Sequence, residues 1–395
     1  MTKNVRYDKI IWNKKVLLPS KQMQVKNMKI IHTGDIHLDS PFTSLNPIEA
    51  EKRRNALRAA FSSLILYAKT EKVELFLICG DLFDDECITK DTCAALCKEM
   101  ASVPDCSFII TPGNHDPLGE KSPYKLISFP ENVYIFTSPD VKKVEIGNSG
   151  VCVYGSAYLS DTKAAYSSES LPVLDKSKIN ILMHHGDLDA LSSPYSPISS
   201  RQIADSGFDY VALGHIHKGT EIKKSGDTYF AYCGCIEGRD FGECGYKGVI
   251  TGDIEKGNVN LRHVRFSSKR YEVITHDATG CESFADCLAD LGEKCASFGD
   301  DTLLRVELTG VVSESFSPDA EVLRSIAKSV SYIEIKDRTL ALLNMKQLKE
   351  DKTLAGEFYR ALEEKLFSDD EEEKRIASEA LKYGLRAIYG LEIKA

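Results

Sequence analysis

The most constraining feature of this chain is a turn that follows an apolar stretch near its start. Residues 30–39 read I-I-H-T-G-D-I-H-L-D, a strand pattern followed by Asp35 and His37. Residues two apart in extended backbone project to the same side, so both side chains can reach one metal ion. Four later strand ends repeat the pattern, and together they hold most of the chain's nine histidines. Their polar residues are Asp81 and Asp84, then Asn114, His115 and Asp116, then His184 and His185, and finally His215 and His217.

Clustered Asp, Asn and His residues of this kind predict a two-metal phosphoesterase site. Hydrolysis of a phosphodiester needs a nucleophile, neutralisation of the phosphate charge and a proton for the leaving oxygen, and two bound ions supply the first two. In G-D-L-F-D, Asp81 is the candidate for a carboxylate that bridges both ions, whereas Asp84 is a supporting or capping residue. In T-P-G-N-H-D, Asn114 offers a neutral oxygen ligand, His115 is the expected general acid, and Asp116 would hold its imidazole.

Two histidine motifs complete the predicted ligand set. Adjacent residues on a strand face opposite ways, so one of His184 and His185 is expected to be a ligand. We favour His184, because it comes first after the apolar run. The motif H-x-H after the next buried strand gives His215 and His217 as ligands. With mixed oxygen and nitrogen donors the ions could be Mn, Fe, Zn, Co or Ni, because geometry and supply decide among them.

Length and composition bound the class of protein. A chain of 395 residues is longer than one core usually holds, which predicts two or three domains. With 43% hydrophobic and 28% charged residues, it is typical of a soluble globular protein. Its 12 cysteines are scattered, and we expect reduced thiols in a cytoplasmic protein without a membrane segment. A net charge of -9 argues against binding nucleic acid by bulk charge, but it does not exclude a nuclease, since metal ions dominate the local field.

Changes in hydrophobic pattern divide the chain into four predicted regions. Residues 1–27 are a lysine-rich extension, and residues 28–268 alternate strands with helices, which predicts mixed sheets flanked by helices. Residues 269–340 predict a small α+β domain without chemistry of its own. Residues 341–395 are helical and charged, with an apolar stripe that packs either on its own domain or on a partner helix. The stripe consists of Ile376, Ala380, Leu381, Leu385 and Ile388.

The order of the motifs resembles that of a known family. D-x-H, G-D-x-x-D, G-N-H-D, a strand-end histidine and G-H-x-H, in this order, are similar to the calcineurin-like metallophosphoesterase superfamily. The segment H-T-G-D-I-H-L-D-S-P-F more narrowly resembles the SbcD-like DNA repair exonucleases of the bacterial YhaO type, as does the glycine-rich turn E-G-R-D-F-G-E-C-G-Y-K-G at residues 237–248. This resemblance implies an α/β protein with a four-layer αββα core of mixed sheets, a small α+β capping domain that meets DNA, and a helical C-terminal tail.

The same resemblance implies ligands, cofactors and partners. The first metal ion would be bound by Asp35, His37, Asp81 and His217. The second would be bound by Asp81, Asn114, His184 and His215. Both ions would be divalent, with manganese as the usual activator. The partners would be DNA and a coiled-coil ATPase subunit of the SbcC/YhaN kind, docked through the C-terminal helices, and a homodimer is a further option.

Three functions fit these observations. The first is a manganese-dependent DNA exonuclease or endonuclease of DNA repair, which uses a water activated by two metal ions and His115 as general acid. The second is a phosphodiesterase or phosphatase that acts on small nucleotides or other phosphate esters. The third is a binding subunit with a vestigial site, which is the weakest of the three because the ligand set is complete. The sequence leaves the polarity of DNA degradation open.

Overall fold

The structure of the protein is a computed structural model that describes residues 27–43, 45–84, 87–120, 122–167, 172–313, 315–341 and 345–389. The predicted N-terminal extension lies outside these residues, apart from Asn27. The chain divides into two compact units, Met1–Ser268 and Lys269–Ala395. Among the described residues, no helix combines the length and the hydropathy needed to cross a bilayer.

The first unit is built from strands β1 to β12 and helices α1 to α4. In chain order the strands are β1 (Met28–Thr33), β2 (Leu75–Cys79), β3 (Ser107–Thr111), β4 (Val133–Ile135), β5 (Lys142–Glu145), β6 (Val151–Gly155), β7 (Ile179–His185), β8 (Tyr210–Gly214), β9 (Lys223–Ser225), β10 (Thr228–Tyr232), β11 (Gly248–Glu255) and β12 (Asn258–Arg265). The helices are α1 (Pro47–Thr70), α2 (Lys90–Ala101), α3 (Pro123–Leu126) and α4 (Ser200–Asp205).

These strands form two six-stranded mixed sheets. The first sheet has the order β12-β11-β1-β2-β3-β4, in which β1 to β4 are parallel and β11 is antiparallel to β1. The second sheet has the order β5-β6-β7-β8-β10-β9, in which β6, β7, β8 and β10 are parallel and the edge strands are antiparallel. Because the parallel strands of a sheet all end at one edge, the turns that follow them can meet there.

Side-chain alternation explains how the two sheets and their helices form four layers. The central strands are apolar on both faces, as is typical of parallel strands that are buried on both sides. Ile30 of the first sheet and Ile181 of the second belong to one buried cluster between the sheets. The opposite face of the first sheet, including Phe76, packs on α1 and α2, and that of the second, including Leu182, packs on α4. This four-layer αββα core confirms the predicted fold class.

The second unit contains strands β13 to β17 and helices α5 to α9. The strands are β13 (Arg270–Asp277), β14 (Thr302–Thr309), β15 (Val311–Val312), β16 (Tyr332–Asp337) and β17 (Leu340–Ala341). The helices are a 3-10 turn at Phe284–Cys287, then α5 (Leu288–Cys295), α6 (Ala320–Ile326), α7 (Met345–Glu350), α8 (Leu354–Leu366) and α9 (Glu371–Ile388). The parallel sheet β13-β14-β16 shares a buried cluster with α5 and α6.

The last helices pack mainly on each other. Tyr359 of α8 lies in one buried cluster with Leu381 and Leu385 of α9. An ion pair of 3.0 Å between Lys382 Nζ and Asp337 Oδ2 joins α9 to the end of β16. Much of the predicted apolar stripe is therefore covered within its own unit, whereas Ile376 remains 54% exposed.

Candidate metal centre

The turns after β1 and β2 are joined to each other by backbone hydrogen bonds. The amide of Asp35 donates to the Gly80 carbonyl at 3.0 Å, and the amide of His37 donates to the Asp81 carbonyl at 3.0 Å. Asp35, His37 and Asp81 have φ angles of 49°, 49° and 50°, and His215 has a φ of 103°. Residues other than glycine rarely adopt positive φ angles. Backbone strain of this kind is concentrated at functional sites. The backbone therefore holds these four residues in costly conformations at one rim of the core.

Two glycines leave the space that the acidic and imidazole side chains occupy. A Cβ on Gly113 would lie 2.2 Å from Asp81 Oδ1, and a Cβ on Gly80 would lie 2.0 Å from His185 Nδ1. Gly80 also has a φ of +86°. The motifs G-D and G-N-H-D thus need glycine, because any larger residue would displace a side chain of the centre.

Asp81 lies in the middle of the centre. Its Oδ2 is 3.7 Å from His37 Nε2 and 3.4 Å from His185 Nε2, and its Oδ1 accepts the His115 amide at 2.9 Å. On one side stand Asp35, His37 and His217, whose ligand atoms all lie within 4.8 Å of one another. On the other side, Asn114 Oδ1 is 2.9 Å from His185 Nε2 and 3.1 Å from His215 Nδ1. The carboxylate of Asp81 thus separates two donor groups.

Each imidazole of the centre has its second nitrogen beside a carboxylate or a carbonyl. His37 Nδ1 donates to Asp84 at 2.9 Å, and His217 Nδ1 donates to Glu243 at 2.5 Å. His185 Nδ1 donates to the Cys79 carbonyl at 2.8 Å, and His215 Nε2 lies 3.6 Å from Asp187 Oδ1. Histidines that bind metals are oriented in this way, since the outer hydrogen bond fixes the tautomer that leaves the inner nitrogen free.

The inner atoms of the centre are acceptors that face one another. In the neutral tautomers in which Nδ1 of His37 and Nδ1 of His217 donate to carboxylates, both Nε2 atoms are acceptors, and these two atoms are 3.2 Å apart. Buried carboxylates of Asp35 and Asp81 point to the same space. Converging acceptors repel one another unless a cation lies between them, and mixed carboxylate and imidazole donors suit a divalent transition metal. The residues present therefore fit a metal centre.

The pKa values show the same preference for positive charge. Burial raises the pKa of Asp35 to about 6. Burial would also raise the pKa of Asp81, but the adjacent His185 holds it well below its usual range. Burial would lower the pKa of His185, but the Asp81 and Asp35 carboxylates outweigh burial and raise it to about 9. A positive charge beside Asp81, whether a proton or a metal ion, is therefore strongly stabilised.

The structure corrects the choice between the two adjacent histidines. His184 Nε2 bonds to the Ser196 carbonyl at 2.7 Å, and its side chain lies outside both donor groups. His185 shares its strand face with Ile181 and Met183, which face the first sheet, whereas His184 shares its face with Leu182, which faces the outer helix. As a candidate ligand, His184 is therefore replaced by His185. The position of the first polar residue was the wrong criterion, because strand alternation decides which side chain reaches the centre.

The structure also corrects the expected role of Asp116. Its carboxylate accepts the amides of Asp81, Leu82, Phe83 and Gly113 and the hydroxyl of Tyr124. Asp116 thus fixes the turns after β2 and β3 rather than the imidazole of His115. The residue beside that imidazole is Asp84, whose Oδ1 lies 3.5 Å from His115 Nδ1. The His115 side chain is 51% exposed at the mouth of the centre, so a substrate can approach it.

Three residues of the centre were not singled out in the sequence. Glu243 holds His217, and although burial alone would raise the pKa of Glu243, the bond from His217 lowers it to about 2. The Arg239 amide donates to Glu243 at 2.8 Å, and its guanidinium lies 3.8 Å from Asp84 Oδ2. Asp187 lies two residues after His185 in H-H-G-D, a spacing that could have indicated it.

A buried ion pair anchors the segment that carries Arg239 and Glu243. Arg53 of α1 lies 2.9 Å from Glu237, and both side chains are nearly inaccessible to solvent. Glu237 also accepts the hydroxyl of Ser268 at 2.8 Å. The start of the segment at residues 237–248 is therefore fixed to the body of the first unit, which places Glu243 behind His217.

This chain is similar to several known proteins. The family model for calcineurin-like phosphoesterases matches residues 28–219. The uncharacterized metallophosphoesterase YhaO of Bacillus subtilis is 30% identical over 306 residues, 73% of this chain and 73% of that protein. The DNA double-strand break repair protein Mre11 of Saccharolobus solfataricus is 26% identical over 268 residues, 63% of this chain and 66% of that protein. The solved structure of TT1561 from Thermus thermophilus aligns with a TM-score of 0.37 at 12% identity, over 61% of this chain and 100% of that chain.

This chain belongs to the calcineurin-like metallophosphoesterase family, and within that family it is of the YhaO type. The predicted family is confirmed. Membership implies a hydrolase of phosphate esters that binds divalent metal ions, and the clustered Asp and His side chains are in keeping with such binding.

Proposed function

We propose that this protein is a metal-dependent nuclease that hydrolyses phosphodiester bonds of DNA. The observation that carries the proposal is the position of Asp81, whose Oδ2 lies between His37 of one donor group and His185 of the other. The relative from Saccharolobus solfataricus is a DNA double-strand break repair protein, which favours DNA over other phosphate esters.

Two donor groups would hold two divalent ions, which we expect to be manganese. The residues of the first group are Asp35, His37 and His217, those of the second are Asn114, His185 and His215, and both groups share Asp81. When bound, such ions neutralise phosphate charge and lower the pKa of a coordinated water. The glycines of the surrounding motifs leave room for the side chains of Asp81 and His185.

His115 is placed to transfer a proton at the mouth of the centre. Its amide is held by Asp81, and its ring meets the His37 ring edge to face, with the centroids 4.9 Å apart. The carboxylate of Asp84 stands 3.5 Å from Nδ1 of this ring, where it can orient the imidazole. We assign His115 as the general acid that protonates the leaving oxygen of the cleaved strand.

The experiment compares substrates whose leaving groups differ in their need for a proton. The purified protein with Mn²⁺ is given single-stranded and duplex DNA, bis-(p-nitrophenyl) phosphate and p-nitrophenyl phosphate. We expect cleavage of DNA and of the diester, and weak cleavage of the monoester. His115→Asn should lower DNA cleavage by roughly 10²–10⁴-fold, since a sugar alkoxide needs a proton, whereas p-nitrophenolate leaves without one.

Two results would contradict this proposal. Preferential hydrolysis of the monoester, without cleavage of any nucleic acid, would identify a phosphatase. An equal loss of DNA and nitrophenyl diester cleavage in His115→Asn would show that His115 acts on something other than the leaving oxygen.

The C-terminal helices are our proposed docking site for a coiled-coil ATPase subunit. Ile376 on α9 and Tyr389, the residue after the end of α9, are both 54% exposed. Ile376→Glu should abolish copurification with such a subunit and leave the melting temperature unchanged, because Ile376 contributes little to the buried cluster of α8 and α9. Copurification that survives the substitution would place the docking site elsewhere.

A further inference from the structure

A cavity of about 460 Å³ adjoins the metal centre in the first unit. Lys218 and Gly219, which directly follow His217, line this cavity together with Cys235. The Cys235 amide donates to the His217 carbonyl at 3.2 Å, and its Sγ lies 3.6 Å from the Glu243 carboxylate that holds the His217 imidazole. The cavity and the metal centre therefore share a wall.

The cavity is basic although the whole chain carries a net charge of -9. Lys218, Lys247 and Arg265 line it with three basic side chains, and Glu221 is the single carboxylate among its described lining residues. Neither Lys218 nor Lys247 forms an ion pair with any residue that the structure describes. Lysines that form no ion pair create a local positive potential even in a protein of negative net charge. Such a potential attracts anions.

An aromatic side chain adds a stacking surface to this charge. Tyr246 lines the cavity and is 44% exposed. The Arg265 guanidinium stacks on the Tyr246 ring, 3.4 Å from its centroid. Aromatic rings combined with Arg and Lys are the groups that bind single-stranded nucleic acid, because every base has a π face and every linkage carries a charge.

Two glycines allow segments of the cavity lining to approach each other closely. Gly234 has a φ of +72°, and a Cβ there would lie 2.6 Å from the Gly219 amide nitrogen. A Cβ on Gly219 would lie 2.9 Å from His263 Cε1. The two backbones approach closely only without side chains, and the space that remains falls in the range of pockets for small ligands.

We propose that this cavity binds one unpaired nucleotide of the DNA strand, next to the phosphate held at the metal centre. The proposal rests on the proposed nuclease function and narrows its substrate to a strand that is single-stranded or frayed beside the cleaved bond. Lys218 and Lys247 would contact the phosphates, and Tyr246 with Arg265 would stack on the base. The volume of about 460 Å³ suits one nucleotide.

Binding and cleavage are measured separately to test this. The double variant Lys218→Gln/Lys247→Gln is compared with Lys52→Gln/Lys142→Gln, a charge-matched control whose side chains are 65% and 54% exposed. Anisotropy of a labelled single-stranded oligonucleotide is followed over a series of salt concentrations in EDTA. In the double variant we expect about tenfold weaker binding and a slope of log K against log salt reduced by roughly 1.4, since each lost phosphate contact contributes about 0.7.

Tyr246→Ala tests the stacking surface. Loss of one stacked base should raise the KM for single-stranded DNA by roughly 5- to 150-fold without changing the salt slope. Turnover of bis-(p-nitrophenyl) phosphate by the control variant Lys52→Gln/Lys142→Gln should stay within about twofold of wild type, because neither of its lysines lines the cavity. A melting temperature equal to that of the wild type shows that the variants are folded.

The outcomes separate this proposal from the nuclease function itself. If the double variant matches its control in affinity and salt slope while wild type cleaves DNA, the cavity proposal alone fails. If wild type cleaves no DNA but the double variant loses affinity and slope, the cavity proposal survives and the nuclease function fails.

Discussion

The two sheets of the first unit contribute different chemistry to one centre. Turns of the first sheet supply its oxygen donors Asp35, Asp81 and Asn114, with a single imidazole. The second sheet supplies imidazoles only: His185 from within a strand, and the pair His215 and His217 from the turn after β8. The centre is therefore complete only where the edges of both sheets meet.

The two sheets also position their donors by different means. In the first sheet, left-handed backbone and hydrogen bonds between turns set each direction, with the carboxylate of Asp116 joining the turns. In β7, the direction of His185 follows from strand alternation and from which face of the strand meets the first sheet. A sequence motif can indicate the geometry of a loop. Which face of a strand packs against another sheet depends on tertiary packing.

The strongest test of this comparison removes the carboxylate that the two groups share. Asp81→Asn should lower diester turnover by more than about 10³-fold, because several kcal/mol of charge stabilisation are lost and each 1.36 kcal/mol is a factor of ten. Calorimetric titration should show fewer than two equivalents of Mn²⁺ bound. The control is Asp227→Asn, a fully exposed acid. If Asp81→Asn has normal turnover and binds two ions, Asp81 is not a ligand of the metal centre.

The adjacent histidines of β7 give a matched pair for the next test. His185→Gln should weaken Mn²⁺ binding by roughly 100-fold, since one ligand is lost. His184→Gln should leave Mn²⁺ binding intact and lower the free energy of unfolding by roughly 1–3 kcal/mol, because it disturbs the bond to the Ser196 carbonyl. Titration calorimetry and urea unfolding in EDTA measure the two effects. The reverse pattern would restore His184 as the ligand.

Much of the fold was predictable because apolar periodicity and turn chemistry both follow from local sequence. The strands before Asp35, Asp81 and Asn114 lie where their patterns indicate them. The second sheet and its place against the first came from the family resemblance, since strand order depends on long-range packing. The predicted division of the second unit at residue 340 stays a prediction, and residues 269–395 form one compact unit.

Residues of the site were predictable where a motif carries both the ligand and its turn. G-D and G-N-H-D include the glycine that makes room for Asp81. The choice of His184 went wrong because β7 is apolar on both faces, so its sequence does not show which face meets the first sheet. Glu243 was not predicted, because it contacts His217 through the tertiary fold and no apolar pattern in the sequence marks its position.

The carboxylate that supports His217 should matter less than the ligands themselves. Glu243→Gln should weaken binding of one Mn²⁺ ion by about 10–100-fold, because His217 loses the charge that orients its ring and raises its basicity. The second ion should bind with unchanged affinity. Glu255→Gln, an exposed position on β11, serves as the control. Equal affinities in both variants would mean that Glu243 does not support a ligand.

The smallest effect concerns His32, which joins the two sheets. His32 Nδ1 bonds to the Tyr210 hydroxyl at 2.8 Å, and burial lowers the pKa of His32 to about 3. Between pH 6.5 and pH 3 the unfolded chain takes up a proton that the folded protein does not. Stability should therefore fall as the pH drops below about 6.5, by up to roughly 1.4 kcal/mol per pH unit from this residue.

The variant His32→Gln isolates that contribution. Urea unfolding in EDTA should show a stability difference between wild type and variant that is constant above about pH 7.5 and shrinks as the pH falls to about 5. If the free energies of unfolding of wild type and variant change equally with pH over this range, His32 does not remain neutral in the folded protein.

The most direct test of the shared centre is the anomalous difference map of a crystal grown with Mn²⁺. We predict two peaks at the rim of the first unit, one beside Asp35, His37 and His217 and the other beside Asn114, His185 and His215. The Asp81 carboxylate should contact both peaks. A single peak, a ligand at His184, or two peaks without Asp81 between them would contradict a centre assembled from the edges of both sheets.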